Sequence, residues 1–482
     1  MWRLVMPFRD LREFISKLDE TGDLVSVNKE VDWDLEAAAI SRRVYEMSGP
    51  ALLFENLKDY PAGYRLFGGS LGTFRRVAIA FGKDPSTPVR ELYQEYEKRM
   101  ENRLKPKVLK TGPCKENILK GDEIDINLFP APYIHEGDGG RYIGSWDLVV
   151  SKDPGSEWMN WGMYRFMIHD ERHIVGFPRF HSHLGRVLHK HYVPKKSPMP
   201  MALVIGADPI SHLIASASIP KGVSEAEISG GVSQQAVELV KCETNDLLVP
   251  AHAEIVMEAE ILPDATAQEG PFGEYPGYRT EGVRMGVLAR ITAITFRNDP
   301  ILTMISLGMP PDDNHVATPI TSAVAVKRHL KNSGIPVIDV YTPPEAVIHT
   351  AIISVKTGGR AVIDQILDAM TVRRADWSKI IVVDDDVDVF DMGQVIHAFS
   401  TKCHPKRGII VRDVDKGKGN PLTPCLTPQE RRAYVGPVVA FDCTWPPDWP
   451  KDTHIPIKAS FDGIYPDEIK EKVIRRWKEY GL

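Results

Sequence analysis

The spacing of apolar residues changes twice along the chain and predicts three regions of different secondary structure. In the first region, apolar positions between residues 8 and 19 recur at helical spacing and are followed by Gly22, a common helix stop. Two further helical patterns and two alternating, strand-like patterns follow, over residues 35–47, 89–100, 24–31 and 51–57. Mixed patterns of this kind predict an N-terminal α/β domain, which we place over residues 1–125.

Strand-like patterns dominate the second region, and long helical patterns are few. A proline-bearing passage, Leu128 to Pro132, lies near its start. Strands are predicted over residues 145–151, 203–206, 237–243, 254–261 and 286–296. The pattern predicts a mostly antiparallel sheet or barrel, forming a central domain over residues 126–306.

Strand and helix alternate again in the third region, which predicts a second α/β domain with a largely parallel sheet over residues 307–460. Helices are predicted over 323–331, 360–370 and 392–401, and strands over 337–340, 352–355, 379–383 and 408–412. Residues 466–480 have the pattern of an amphipathic helix, so residues 461–482 are assigned to a C-terminal helix.

Composition narrows the possible functions only a little. A formal net charge of -6 provides no basic surface for nucleic acid, and no apolar run is long enough for a membrane span. The five cysteines are scattered and form no CxxC pair, which is typical of a reducing, cytoplasmic compartment. No Walker A or GxGxxG pattern is present: Gly137 to Gly140 lacks the last glycine.

The segment from Gln268 to Tyr278 holds two acids, Glu269 and Glu274, separated by glycine, proline and phenylalanine. Glycine and proline disfavour helix and strand interiors, so the sequence predicts a stiff loop between two strands. Acids fixed in this way suit acid–base chemistry. Spacing alone is equally compatible with a hairpin whose acids are only solvated.

Three other segments could bind ligands. Residues 180–191 hold four histidines, and the His181-x-His183 pair could ligate zinc in a hydrolase, although ordinary histidines at a strand end explain it as well. Asp384 to Asp388 could bind Mg²⁺ or form a solvated strand end. Arg165 closes an aromatic stretch and predicts a carboxylate partner, from either the protein or a ligand.

Taken together, these segments resemble the UbiD family of decarboxylases, which use prenylated FMN, and the resemblance runs over nearly the whole chain. It is carried by Glu269-Gly270-Pro271-Phe272-Gly273-Glu274, by Trp158 to Arg165, by Ile219 to Glu225, by Val240 to Asp246, by Ile381 to Asp388 and by Tyr465 to Gly481. The resemblance implies an N-terminal α/β domain, a central split β-barrel that binds flavin, and a C-terminal α/β domain with a terminal helix.

The resemblance also implies the ligands of a cofactor and two ions. Asn160, His183 and Glu225 would bind a divalent ion, usually Mn²⁺, that bridges to the cofactor phosphate. A monovalent ion, usually K⁺, would lie at Glu225 and at the backbone near Trp158, Ala215 and Ala217. Prenylated FMN itself would contact Asn160, Trp161, Gly162, Met163, Tyr164, Arg165, Ser182, His183, Ser216 and Glu225.

The implied activity is the reversible, non-oxidative decarboxylation of an aromatic or α,β-unsaturated acid, with CO₂ as the second product. Arg165, Glu269 and Glu274 would be the catalytic residues, with Glu274 as proton donor. A separate flavin prenyltransferase would supply the cofactor, and the chain would form a homodimer or homohexamer. Two alternatives stay open: a metal hydrolase built on His181 and His183, and a subunit of a larger aromatic carboxylase.

Positions that differ from the cinnamic-acid-decarboxylase branch lie where substrate walls vary. Ser182 stands next to the implied metal ligand His183, and Thr318 follows soon after His315. Asn420 to Leu422 would line the wall formed by the third region. These differences argue against a cinnamate-like substrate.

Overall fold

The first helix, α1 (Leu11–Glu20), begins directly after its capping residue, Asp10, and not at residue 8, where the apolar pattern begins. The computed structural model describes residues 8–279, 282–372 and 376–482, apart from the side chain of Lys451. The Asp10 side chain accepts a hydrogen bond from the Glu13 amide, which satisfies one free N–H of the first turn. The predicted start at residue 8 was therefore too early, while the predicted apolar face is buried.

Three more helices and a small sheet complete the N-terminal region. The helices are α2 (Glu36–Glu46), α3 (Phe74–Ala80) and α4 (Val89–Arg99). The strands are β1 (Leu24–Val27), β2 (Ala51–Phe54) and β3 (Arg65–Gly68), with β1 parallel to β2 and β2 antiparallel to β3. The predicted mixed α/β character is confirmed, although the observed strands end three or four residues before the predicted ends.

A curled antiparallel sheet of nine strands forms the central region. The strands of this part of the chain are β4 (Lys107–Leu109), β5 (Asn117–Lys120), β6 (Tyr142–Gly144), β7 (Asp147–Lys152), β8 (Met159–Gly162), β9 (Phe166–Asp170), β10 (His173–Gly176), β11 (Met199–Ile205), β12 (Glu238–Lys241), β13 (Leu248–Pro250), β14 (Ile255–Glu269) and β15 (Arg284–Phe296). The order in the large sheet is β6-β9-β10-β15-β14-β11-β7-β8, with β5 added beside β15; β13, β12 and β4 form a smaller sheet. The predicted antiparallel sheet is confirmed.

The long strand β14 corrects the prediction for the segment that bears the two acids. It runs from Ile255 to Glu269 and pairs with β15 up to Glu269 opposite Arg284. It ends at Gly270, whose positive φ of 77° departs from strand geometry. Glu269 is therefore a strand residue, and only Glu274 lies in the predicted loop.

Three short helices interrupt the central strands: α5 (His183–Val187), α6 (Pro209–Ala215) and α7 (Glu225–Ser233). The next strand, β16 (Ile301–Met304), leaves the central sheet and pairs in parallel with β3 of the N-terminal sheet. The N-terminal sheet thus includes one strand from the range predicted for the central domain.

The C-terminal region consists of helices and a five-stranded sheet, and both edge strands of this sheet pair antiparallel with their neighbours. Its helices are α8 (Asp313–Asn332), α9 (Arg360–Thr371), α10 (Met392–Lys402) and α11 (Pro428–Ala433), and its strands are β17 (Val337–Tyr341), β18 (Thr350–Val355), β19 (Lys379–Asp384), β20 (Ile409–Val414) and β21 (Gly436–Cys443). The order is β17-β18-β19-β21-β20, and only the β18–β19 and β19–β21 pairs are parallel. Helix α8 starts ten residues before the predicted helix because Asp312 caps it.

The last residues form α12 (Lys451–His454), α13 (Phe461–Ile464) and α14 (Asp467–Arg475), followed by a 3₁₀ turn at Trp477–Tyr480. The predicted terminal helix is therefore two shorter pieces. Within the described residues, no helix has the length and apolar character needed to cross a membrane. One cluster of buried apolar side chains joins the N-terminal helices, α8 and the C-terminal sheet, so the first and last α/β regions share a core.

The buried His212 in α6 should make the stability of the protein depend on pH. Burial lowers its pKa from 6.5 to about 4, and its Nε2 accepts from the Ala207 amide at 3.1 Å. As pH falls from about 6.5 to about 4, the unfolded chain takes up a proton that the folded chain does not. We expect this to cost about 3 kcal/mol of unfolding free energy by pH 4.

The measurement is urea unfolding between pH 7 and pH 4 for the wild-type protein and for His212→Gln. Glutamine keeps an acceptor for Ala207 but does not titrate, so the variant should lose less stability over this range. Parallel pH profiles for the two proteins would show that His212 does not carry this dependence.

Candidate active site

Arg165 lies between β8 and β9 and is held by both acids of the Glu269–Glu274 segment. Its Nε and Nη2 donate to the two carboxylate oxygens of Glu269 at 2.7 and 2.9 Å, and its Nη1 pairs with Glu274 Oε1. Glu269 is fully buried, whereas the side chains of Arg165 and Glu274 keep 17% and 13% of their exposure. The group therefore combines a rigid, bidentate ion pair with a second acid at the surface of the site.

Burial and charge act in opposite directions on Arg165. Burial lowers its pKa, but the charges of Glu274 and Glu269 outweigh burial and raise the pKa above its ordinary value. On the other side of Glu269, the Tyr142 hydroxyl donates to Oε1 at 3.0 Å, and burial followed by the Glu269 charge raises the pKa of Tyr142. Arg165 is thus a permanent cation and Tyr142 a neutral donor.

A second layer of contacts fixes the loop between the two acids. The Phe272 ring lies 4.4 Å from the Tyr142 ring and 5.0 Å from the Arg165 guanidinium carbon. Asp138 accepts from the Gly273 amide at 3.1 Å, and the Gly139 amide donates to the Pro271 carbonyl at 2.8 Å.

The sequence interpretation missed Tyr142, Asp138 and Gly139. The run Gly137 to Gly140 was considered only as a nucleotide loop, but its glycines serve a close approach of two backbones. A Cβ at Gly139 would meet the Gly270 carbonyl directly. The density of glycine was the available signal, because it is expected wherever backbone packs on backbone.

A second polar group brings together the three residues predicted to bind a divalent ion. Asn160 is buried in β8, and its Oδ1 lies 2.8 Å from His183 Nδ1. Glu225 is buried and accepts from the amide of Trp161, the residue after Asn160, at 3.2 Å. His183 and Glu225 are the first residues of α5 and α7, each of which is capped by the preceding serine, Ser182 or Ser224.

The charge state of these residues fits a bound cation. Burial raises the pKa of Glu225 to about 8, and hydrogen bonds from backbone amides oppose that rise. Burial, and then the charges of Arg186 and Lys221, lower the pKa of His183, so its imidazole is neutral at pH 7, as a metal ligand must be. The Nδ2 atom of Asn160 is buried without a hydrogen-bond partner. A divalent ion would offset the charge of the buried Glu225 carboxylate.

The other residues predicted to contact cofactor or K⁺ surround the same strand. The Trp158 ring packs against the His183 ring at 5.1 Å, and its Nε1 donates to the Val223 carbonyl at 2.9 Å. The Met163 amide donates to the Ala215 carbonyl at 3.0 Å, and Tyr164 Oη accepts from the Leu184 amide at 3.3 Å. The remaining predicted contacts adjoin these residues on β8 and at the end of α6, namely Trp161, Gly162, Ser216 and Ala217.

The alternative hydrolase lacks a metal site in the described residues. Among residues 8–279, 282–372 and 376–482, no three His, Cys, Asp or Glu side chains come together as ligands of a metal ion. His181 is exposed and touches the Phe180 ring, while His183 turns to Asn160. Asp384 bonds to Lys402 at 2.8 Å, which supports a structural role for that acidic run.

Comparison with known proteins accounts for most of the chain. Three family descriptions match: the N-terminal domain of 3-octaprenyl-4-hydroxybenzoate carboxy-lyase over residues 15–96, its Rift-related domain over 107–310, and its C-terminal domain over 315–443. A pyrrole-2-carboxylic acid decarboxylase from Pseudomonas aeruginosa is 33% identical, over 98% of each chain. The chain belongs to the UbiD family. Both the resemblance and the assignment as a carboxy-lyase are confirmed.

Two solved UbiD-type structures support the fold. Vanillic acid decarboxylase from Sedimentibacter hydroxybenzoicus, in its closed form, has a TM-score of 0.88 at 28% identity and covers 99% of both chains. An evolved dimeric form of the UbiD-class enzyme HmfF from Pelotomaculum thermopropionicum, in complex with prFMN, has a TM-score of 0.79 at 27% identity, over 92% of this chain and 96% of that one. The three-part UbiD architecture with a central split barrel is therefore confirmed.

Proposed function

We propose that this chain decarboxylates an aromatic carboxylic acid without net oxidation, using prenylated FMN. The observation that carries the proposal is the Arg165 group, in which a buried Glu269 fixes the guanidinium while Glu274 faces a cleft. The cleft has a volume of about 1060 Å³ and lies between residues 274–279 and 282–284 on one side and 421–434 on the other. This volume is large enough for an aromatic acid beside a flavin ring.

Each residue of the group has one task. Arg165 would bind the substrate carboxylate or orient Glu274, because its guanidinium offers paired donors. Glu269, bound on both oxygens, would keep Arg165 in place. Glu274 would deliver a proton to the carbon that has lost CO₂. When bound, prenylated FMN supplies the electron sink for that carbon.

Asn160, His183 and Glu225 would hold a divalent ion, such as Mn²⁺, that ties the cofactor phosphate to the protein. A mixed set of amide oxygen, imidazole and carboxylate suits a borderline-hard ion. Four further points stay predictions. They are K⁺ binding at Glu225 and at the backbone of Trp158, Ala215 and Ala217, supply of the cofactor by a prenyltransferase, assembly as a homodimer or homohexamer, and a cytoplasmic location. The domain limits at residues 125, 306 and 460 likewise stay predictions.

The test of the function is CO₂ release from a panel that includes pyrrole-2-carboxylic and vanillic acids. Protein produced together with a flavin prenyltransferase should release CO₂ from at least one acid and incorporate deuterium from D₂O at the reacting carbon of the product. Protein produced without that enzyme should be inactive, even with plain FMN bound. Full activity with plain FMN, or no turnover of any aromatic acid, would contradict the proposal.

The proposed metal site predicts that Glu225→Gln should lower metal and flavin content together. The neutral amide cannot offset a divalent ion, and the ion's charge is what would bind the phosphate. Elemental analysis and flavin absorbance of the purified protein measure both quantities. Glu227→Gln, in the first turn of the same helix, is the control and should leave both unchanged. Equal loss in the two variants would indicate damage to α7 rather than loss of a ligand.

A further inference from the structure

Tyr275, the residue after Glu274, is where the C-terminal region touches the loop of the proposed proton donor. Three separate parts of that region contact this one residue: α8, the turn before β18, and the loop at residue 420. The Tyr275 ring is partly buried, and burial raises the pKa of its hydroxyl, which stays neutral. Glu274 is thus followed directly by a residue that three parts of the C-terminal region contact.

The contact from α8 comes from a buried histidine. His315 Nε2 donates to the Tyr275 carbonyl oxygen at 2.6 Å. On the other side of the ring, Nδ1 lies 2.8 Å from Asp312 Oδ1, in a close pair that is not aligned as a good hydrogen bond. Both side chains are fully buried, and Asp312 also lies 3.3 Å from Arg42 Nη1. The His315 ring therefore lies between Asp312 and the Tyr275 carbonyl and supports the Tyr275 backbone.

The other two contacts hold the side chain. Asn420 Nδ2 donates to the Tyr275 hydroxyl oxygen at 2.9 Å, while Asn420 Oδ1 accepts from the Leu422 amide at 3.0 Å. The His349 ring lies 5.9 Å from the Tyr275 ring. Asn420 is almost fully buried, so loss of this bond would not be replaced freely by water.

The loop on the other side of Glu274 is held by the central region instead. Asp138 accepts from the Gly273 amide, and His135 Nδ1 lies 3.0 Å from Asp138 Oδ2. Glu274 itself closes a tight turn, because its amide donates to the Tyr278 carbonyl at 3.1 Å and its carbonyl accepts from Gly277 at 2.9 Å. The turn that carries the acid is therefore fixed to one domain before Glu274 and to the other domain after it.

We propose that Tyr275 is a positioning residue that transmits the placement of the C-terminal region to Glu274, so that the acid is aligned for proton delivery only while Asn420 and His315 hold Tyr275. This inference rests on the proposed function for its consequence, but the mechanical link does not. One wall of the cleft bears Glu274 and the other bears Pro421 and Leu422, so a substrate bound there would lie between them. The link therefore joins the wall next to Asn420 to the acid.

Hydrogen–deuterium exchange of the cofactor-free protein tests the link independently of any activity. Tyr275→Phe and Asn420→Ala each remove the hydroxyl–amide bond, and Asn420→Ala also removes the bond from the Leu422 amide. In both variants, the Glu274 and Gly277 amides should exchange about 3- to 10-fold faster, as expected for loss of one buried hydrogen bond. The double variant should be no faster than Asn420→Ala, because the bond that Tyr275→Phe removes is already absent from that variant.

Ser354→Ala is the matched control. It removes a partly buried hydrogen bond from the Asp339 amide within the C-terminal sheet, far along the chain from Asn420. Exchange of the Glu274 turn should stay at the wild-type rate in this variant. Unchanged exchange in Tyr275→Phe and Asn420→Ala would overturn the link, as would an equal rise in Ser354→Ala, since that would reflect general loosening of the domain.

Kinetics of the cofactor-loaded protein test the consequence. Tyr275→Phe and Asn420→Ala should lower kcat by about 3- to 10-fold with KM changed less than twofold, because proton delivery and not binding is affected. Faster exchange with an unchanged kcat would overturn the role in proton delivery. If the wild-type protein itself decarboxylates nothing, the proposed function fails, while the exchange experiment still decides the link.

Discussion

Glu274→Gln is expected to lower the decarboxylation rate by about 10²- to 10⁴-fold while flavin content stays at the wild-type level. Glutamine has nearly the size of glutamate and can still bond to Arg165 Nη1, so the loop should keep its shape. It cannot donate a proton readily, and no other carboxylic acid lines the cleft among the described residues. Release of CO₂ should slow because the product carbon waits for its proton.

The measurement is the steady-state rate of CO₂ release, with flavin absorbance determined on the same preparation. Glu136→Gln is a suitable control, because Glu136 is exposed near the same loop and does not contact Arg165. Near-normal turnover in Glu274→Gln would mean that Glu274 serves only as a structural partner of Arg165 and does not deliver the proton.

Local sequence patterns predicted the fold well wherever one element obeys one periodicity. The apolar face of α1 and the apolar runs of β7 and β11 are examples, and their bounds shift by only a few residues. Prediction failed where distant residues decide the structure. The helix predicted for α8 was too short, because polar residues and Pro319 interrupt the apolar pattern of its first turns. In the structure, capping by Asp312 and packing against the shared core extend the helix.

The site shows the same limit more strongly. Arg165 and Glu269 are 104 residues apart, and Asn160 and His183 are 23 apart, so no spacing rule joins them. Only the resemblance to a family brought these residues into one group. The supports were missed because they act through backbone contacts: Asp138 holds a Gly273 amide, and His315 holds a Tyr275 carbonyl. A single sequence does not encode such contacts as a readable pattern.

The double variant Glu269→Gln/Glu274→Gln should be hardly slower than the slower of its two single variants, at about 10²- to 10⁴-fold below wild type. Both acids act through the same guanidinium: Glu269 binds Nε and Nη2, and Glu274 binds Nη1. Glu269→Gln alone leaves Arg165 with a neutral and weaker partner, which should disturb both the substrate position and Glu274. Once Glu269 no longer fixes Arg165, a second loss at Glu274 has little left to remove.

The four proteins of this cycle should be compared by decarboxylation rate, with flavin content and unfolding midpoint measured for each. Losses that multiply fully would show that the acids work independently, and the Arg165 group would then be two separate ion pairs. Equal turnover of Glu269→Gln and wild type would remove Glu269 from the mechanism altogether. Non-additive losses with intact flavin content would show that the two acids act through Arg165. Among the described residues, Arg165 is the only charged side chain that both acids contact.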